Sequence, residues 1–255
     1  MTKLSDQAAL AAIGAATRDL RLPVVRAEAP RLAEQATRER VGHLPYLADV
    51  LCAEVDERNA HRRERRIAEA RFPRQKRLSE FDLAASKSVG AETIALLSSL
   101  SFLERGEPVV FLGDSGTGKS HLLIGTGICA CEEGRRVRYV TCAGLVNELA
   151  EAQDERRLSR LVARYGRLDL LLLDELGYVA FDARGAELLF QILTEREERA
   201  SIAIASNLPF SEWGQVVADA RLVAAIVDRV TFGAHIVETG SDSYRLRATR
   251  AKRSR

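Results

Sequence analysis

Residues 113–120 read Gly113-Asp114-Ser115-Gly116-Thr117-Gly118-Lys119-Ser120, residue types whose order suits them to hold a polyphosphate. The glycines let the backbone wrap so that successive N–H groups point inward at phosphate oxygens. Lys119 would reach the β- and γ-phosphates, and the Ser120 hydroxyl would bind Mg²⁺. Together with His121, these residues are the candidate nucleotide-binding set. The motif works only between a strand and a helix. Here it follows the apolar run from Pro108 to Leu112 and precedes a helix-like stretch from His121 to Cys131.

Two carboxylates, Asp174 and Glu175, follow the apolar run Leu170-Leu171-Leu172-Leu173. Such a run predicts a strand buried on both faces, and ligands in open α/β sheets bind where strands emerge at their C-terminal edge. Asp174 is placed to hold Mg²⁺, directly or through water. Glu175 is the natural group to orient and deprotonate an attacking water. Asn207 closes the next run, Ala205-Ser206-Asn207. It would bond the γ-phosphate or the water, or else simply form a turn before Leu208-Pro209. Arg229 and Arg245 are the late guanidiniums that can neutralise charge on a transferred phosphoryl group; for a lone arginine the plainer reading is a surface ion pair.

These groups need a scaffold. From residue 108 onward strand-like and helix-like stretches alternate, which predicts a parallel sheet with helices on both faces. Its strands are expected at 108–112, 137–141, 169–173, 201–206 and 234–238. Residues 1–70 are rich in Ala and Leu and poor in Gly, so a small all-helical region is expected there, punctuated by Pro23, Pro30 and the 42–45 segment. Leu47, Val50, Leu51 and Val55 keep helical spacing. Residues 71–107 form a connector whose Phe72-Pro73 and Leu78 to Phe81 segments pack on the core. Residues 108–247 are the expected ATPase domain, and 248–255 a basic tail expected to be disordered.

Net charge is only +2, but it is unevenly spread. Residues 108–240 hold 14 Lys and Arg against 19 Asp and Glu, a net −5. Residues 58–77 hold nine basic against two acidic residues, a net +7, and 241–255 six against one, a net +5. An acidic nucleotide-binding core between basic blocks points to a polyanionic partner. Arg58, Arg62, Arg63, Arg65 and Arg66 are the candidate DNA contacts in the first block. Arg156, Arg160 and Arg164 recur every four residues and predict one basic helix face, either solvated or tracking phosphates. The four cysteines show no disulfide framework and read as buried small hydrophobes. No apolar run reaches the roughly 20 residues needed to cross a bilayer, and no signal-peptide layout is present, so a soluble cytoplasmic protein with no membrane partner is expected.

Several of these runs together carry a resemblance. They are 113–120, Asp174-Glu175-Leu176-Gly177-Tyr178, the stretch Ser206 to Gly214 (Ser-Asn-Leu-Pro-Phe-Ser-Glu-Trp-Gly), Asp228-Arg229, Ser243-Tyr244-Arg245, and the earlier Leu20-Arg21-Leu22-Pro23 and Ala70-Arg71-Phe72-Pro73. The chain resembles the IstB-like helper ATPases of insertion-sequence transposition, bacterial members of the AAA+ class related to DnaC and DnaA. The resemblance implies an AAA+ P-loop core with a five-stranded parallel sheet, ATP and Mg²⁺ as cofactors, and hydrolysis to ADP and phosphate. Asp174 and Glu175 then match the Walker B pair, Asn207 sensor 1, Arg245 sensor 2, and Arg229 an arginine finger acting on a neighbouring subunit's nucleotide. The implied partners are double-stranded DNA, a cognate transposase and further copies of the chain, with nucleoid association on DNA. A DnaC-like helicase loader is the nearest alternative. A small-molecule phosphotransferase is a further one, against which the water-activating Glu175 argues.

Overall fold

The computed structural model describes residues 5–217 and 219–244, so Arg245 and the basic tail lie outside the described residues. The chain divides into two compact units, Met1–Arg65 and Arg66–Arg255, with the division falling inside one long helix. Among the described residues no helix is long and apolar enough to cross a membrane.

The first unit holds helices α1 (Asp6–Asp19), α2 (Pro23–Glu39) and the larger part of α3 (His43–Ala70). Ser5 caps α1 by accepting the Ala8 N–H at 3.3 Å, which satisfies one of the donors a helix start leaves open. Pro23 opens α2, where its missing N–H is not needed. Pro30, expected to punctuate the helices, instead lies inside α2. The helix persists around it because Val25 and Ala29 are buried with Val50 of α3, and because Glu54 of α3 accepts the N–H groups of Val24 and Val25 at 2.9 and 3.1 Å. Of the four apolar α3 residues read as one spacing, only Val50 is buried; Leu47, Leu51 and Val55 are exposed.

The second unit is built on a five-stranded sheet of β1 (Val109–Leu112), β2 (Val137–Thr141), β3 (Leu170–Leu176), β4 (Ser201–Ser206) and β5 (His235–Glu238). Every pairing is parallel and the spatial order is β2-β3-β4-β1-β5. The five-stranded parallel sheet flanked by helices is therefore as expected. Strand β3 shows why: Leu171 and Leu173 enter one core cluster and Leu170 and Leu172 the other, since alternate residues face opposite sides. On one face α6 (Lys119–Glu132) packs across β1 to β4. On the other face lie α7 (Cys142–Asp154), α8 (Leu158–Gly166), α9 (Ala183–Arg196) and α10 (Ala220–Thr231).

The connector packs on the α6 face through Phe72, Leu78 and Phe81. The approach is close because α6 carries no side chain at Gly127, where an added Cβ would lie 2.4 Å from Leu172 and 2.9 Å from the Phe72 ring. The connector also forms two helices that its sequence did not announce, α4 (Ala91–Ser99) and α5 (Ser101–Glu104). They are separated by Leu100 in the left-handed region, φ 55°, and bury Leu97, Leu100 and Phe102. Cys131 and Cys142 are buried, but Cys52 is exposed on α3 and Cys129 only half-buried, so the uniform core reading of the cysteines does not hold. Burial pushes the Cys131 thiol up to about 12.

Candidate nucleotide site

Four strand ends meet at one cavity of about 530 Å³, a size usual for small-molecule sites. Residues 115–121 line it, with Asp174 and Glu175 from β3, Asn207 from the turn after β4, and residues 239–242 and Tyr244 beyond β5. Gly113 and Asp114 are not among the lining residues. They act through their backbone: the Lys119 ammonium donates to the Gly113 carbonyl at 2.5 Å and the Asp114 carbonyl at 2.7 Å. Asp114 is exposed and does not line the cavity, so its carboxylate stands outside the place phosphates would occupy.

The loop is laced from beyond β5. The Thr117 and Thr239 hydroxyls are 2.6 Å apart, the Asp114 N–H donates to the Gly240 carbonyl at 3.0 Å, and the Tyr244 N–H to the Gly116 carbonyl at 3.0 Å. None of this is visible in local sequence, because β5 reaches β1 only through the sheet order.

Asp174 is 4% exposed, and its Oδ1 accepts the Ser120 hydroxyl at 3.2 Å and the Glu175 N–H at 2.9 Å. A hydroxyl and a carboxylate oxygen side by side form the hard-oxygen pair that Mg²⁺ takes, with nucleotide phosphates and water completing the shell. The residues present therefore fit the ion. Oδ2 accepts the Tyr139 hydroxyl at 2.8 Å; burial and the Asp174 carboxylate hold that phenol above the usual tyrosine range.

Glu175 owes its direction to a backbone irregularity. In a regular strand Asp174 and Glu175 would face opposite sides, and both were expected beyond the strand end. Instead β3 runs on to Leu176, its register against β4 slips between Leu173 and Leu176, and Glu175 adopts φ 64°. The bulge turns both carboxylates to the same cavity. A non-glycine residue held there costs about 1–3 kcal/mol, which the packed ends of β3 and β4 sustain.

Asn207 sits in a clamp. The Ser206 hydroxyl accepts the Leu208 N–H at 3.1 Å and donates to the Leu208 carbonyl at 2.8 Å, and the Trp213 indole N–H donates to the same carbonyl at 3.1 Å. Trp213 is 1% exposed and lies in a 3₁₀ helix, Phe210–Gln215. Gly177, at φ 114°, leaves room for the amide: a Cβ there would lie 2.4 Å from Asn207 Oδ1. Among the described residues that buried oxygen has no hydrogen-bond partner, which marks a polar group awaiting a ligand. Trp213→Ala is expected to lower stability by about 3–5 kcal/mol, read in a denaturant melt; an unchanged midpoint would show that the clamp contributes nothing.

The connector supplies a wall that was not expected of it. Arg74, Lys76, Phe81 and Lys87 line the cavity, so two members of the 58–77 basic block face the phosphate loop. In the sequence their charge is visible only as part of that block. The His121 ring bonds the Arg77 carbonyl at 2.8 Å and meets the Phe81 ring edge-on at 5.4 Å; burial lowers its pKa, which favours the neutral ring.

Arg229 is absent from this cavity. It lines a second one with Pro108, Glu197 and Phe232, where β1 begins rather than where it ends. Its Nε donates to Glu197 at 2.9 Å, and the guanidinium lies 4.3 Å from the Phe190 ring centre.

The DNA-contact candidates fall into different surroundings. Arg58 is engaged by Glu54 at 2.8 Å and by the Arg21 carbonyl. Arg62, Arg63 and Arg65 are exposed, whereas Arg66 is half-buried beside the Gly134 turn that ends α6. Arg156 does not share a helix face with Arg160 and Arg164. It occupies a left-handed turn, φ 58°, ahead of α8, because α7 ends at Asp154 and the chain must reverse before α8. Arg160 and Arg164 are exposed, and Arg164 pairs with Glu148 at 3.3 Å.

Residues 15–252 match the family model described as IstB-like ATP binding protein. The chain is 39% identical to an insertion sequence ATP-binding protein of Sinorhizobium fredii over 96% of this chain and 83% of that one. It is 35% identical to the ATP-binding protein of insertion sequence IS5376 of Geobacillus stearothermophilus, over 91% and 92%. Among solved structures, the replication initiator DnaA bound to AMPPCP and single-stranded DNA aligns with TM-score 0.54 at 24% identity, over 72% of this chain and 55% of that one. The DnaC helicase loader aligns with TM-score 0.52 at 20% identity, over 63% and 96%. Both likenesses establish the AAA+ fold. The chain thus belongs to the IstB-like ATP binding protein family.

Proposed function

We propose that this protein is an ATP-hydrolysing helper of a transposase, assembling as an oligomer on duplex DNA and using hydrolysis to time target selection. One observation carries the reading. Lys119, Ser120, Asp174, Glu175 and Asn207 converge on a single cavity, while Arg229 stands at the opposite edge of the sheet. Arg74 of the connector lines that cavity, but the finger candidate Arg229 does not reach it within its own chain, which supports a site that a neighbouring subunit finishes.

Within the site Lys119 binds the β- and γ-phosphates, Glu175 orients water and takes its proton, and Asn207 bonds the γ-phosphate or that water. Ser120 and Asp174 would hold Mg²⁺, which would neutralise charge on the phosphate oxygens. Residues 1–70 serve as the region that contacts DNA or a partner. The insertion-sequence relatives favour a transposase as that partner over a replicative helicase, since the DnaC likeness is one of fold.

The test is assembly on duplex against single-stranded DNA, with and without ATP, across a salt series. Duplex binding is expected to need ATP and to fall steeply with salt. Replacing Arg62, Arg63 and Arg65 by Ala should reduce the slope of log affinity against log salt by about 2–3, at roughly 0.9 for each phosphate no longer neutralised. An unchanged slope would remove these arginines from the interface, and equal binding to both DNA forms would remove the duplex.

A further inference from the structure

Asp174 has two oxygens, and the fold uses them differently. Oδ1 faces the Ser120 hydroxyl at 3.2 Å, the side from which an ion would be bound. Oδ2 is held at 2.8 Å by the Tyr139 hydroxyl. Tyr139 comes from β2, whose register pairs it with Leu172 and places Thr141 opposite Asp174. The phenol therefore reaches two residues along the strand to meet the carboxylate. Its ring lies 6.4 Å from the Phe72 ring of the connector, and Tyr139 is not among the residues lining the cavity.

We propose that Tyr139 is the positioning residue of the metal site, holding Asp174 Oδ2 so that Oδ1 is presented beside Ser120 to Mg²⁺. The inference rests on Asp174 being the metal carboxylate. An aspartate side chain turns about two bonds, and the backbone neighbours of Asp174 restrain only Oδ1, through the Glu175 N–H at 2.9 Å. A donor anchored in the adjacent strand removes the remaining freedom. Outer-shell partners of this kind change metal affinity about 10–100-fold when deleted. Tyr139 acts through the carboxylate and not on the nucleotide, so its removal separates metal binding from nucleotide binding.

The experiment uses the full chain as wild type, Tyr139→Phe and Asp174→Asn. Affinity for a non-hydrolysable ATP analogue is measured in excess EDTA and across a Mg²⁺ titration. The phenylalanine keeps the ring that faces Phe72, and the EDTA arm reports whether the site is still folded. For Tyr139→Phe, affinity in EDTA is expected to stay within about twofold of wild type. The Mg²⁺ concentration giving half of the metal-dependent gain should rise about 10-fold. Asp174→Asn should lose that gain altogether. If Asp174→Asn loses it but Tyr139→Phe titrates as wild type, Tyr139 is not the positioning residue. If Tyr139→Phe weakens the analogue equally in EDTA and in Mg²⁺, its role is to hold the fold, which also overturns the proposal. If Asp174→Asn itself titrates as wild type, the metal reading fails and takes this inference with it.

Discussion

Glu175→Gln is expected to slow ATP turnover by about 10²–10⁴-fold while leaving ATP affinity within about twofold. The expectation follows from where the side chain stands. Glu175 is exposed into the cavity, so its carboxylate is available to a water molecule. Its neighbour Asp174 is buried and engaged by three donors. The two acids thus stand in different surroundings despite being adjacent in sequence. Glutamine has the same shape and the same backbone demands at φ 64°, so the bulge and the cavity should survive while the proton acceptor is lost. Phosphate release and equilibrium ATP binding, measured on the same preparation, check the split. Turnover at the wild-type rate would take Glu175 out of the mechanism. Loss of ATP binding in parallel would mean that the bulge, and not the base, had been damaged.

What the sequence could say about this site was decided by distance along the chain. The phosphate loop, the apolar strands and the Asp174-Glu175 pair are local signals: a few consecutive residues specify each, and 137–141 and 201–206 were expected where β2 and β4 lie. The Glu175 bulge was not legible, because an apolar run followed by two acids reads as a strand that has ended. Tyr139 and Thr239 were not legible either. Their partners are 35 and 122 residues away, and only the order β2-β3 and β1-β5 brings them together. The same holds for Arg74 and Lys76, whose charge was visible but whose destination depended on how the connector crosses α6. Arg156 failed for the opposite reason. Its four-residue spacing to Arg160 mimicked a helix face, yet the left-handed turn at Arg156 breaks the period.

Arg229→Ala is expected to reduce ATP turnover by about 10³-fold or more, and the loss should be repaired by a subunit whose own nucleotide site is dead. Geometry motivates this. Strand β1 begins at the cavity that holds Arg229, through Pro108, and ends at the phosphate loop. The two sites are therefore separated by at least a four-residue strand, roughly 13 Å, which an arginine in this position does not bridge within its own chain. A head-to-tail contact between copies brings one such edge against the other kind of edge. Mixing Arg229→Ala with Lys119→Ala creates interfaces in which an intact nucleotide site meets an intact arginine. With random assembly at equal amounts, about a quarter of the interfaces are of this kind, so roughly a quarter of the wild-type turnover per site should return. Neither variant alone should show it. Glu197→Gln supplies the control, since Glu197 is the ion-pair partner of Arg229 at 2.9 Å. If losing that partner stops turnover as completely as losing the arginine, and mixing repairs nothing, then Arg229 serves its own chain as a structural ion pair. If mixing repairs and Glu197→Gln stays active, the guanidinium is supplied in trans, and hydrolysis is tied to assembly by the placement of one residue at the wrong edge of its own sheet.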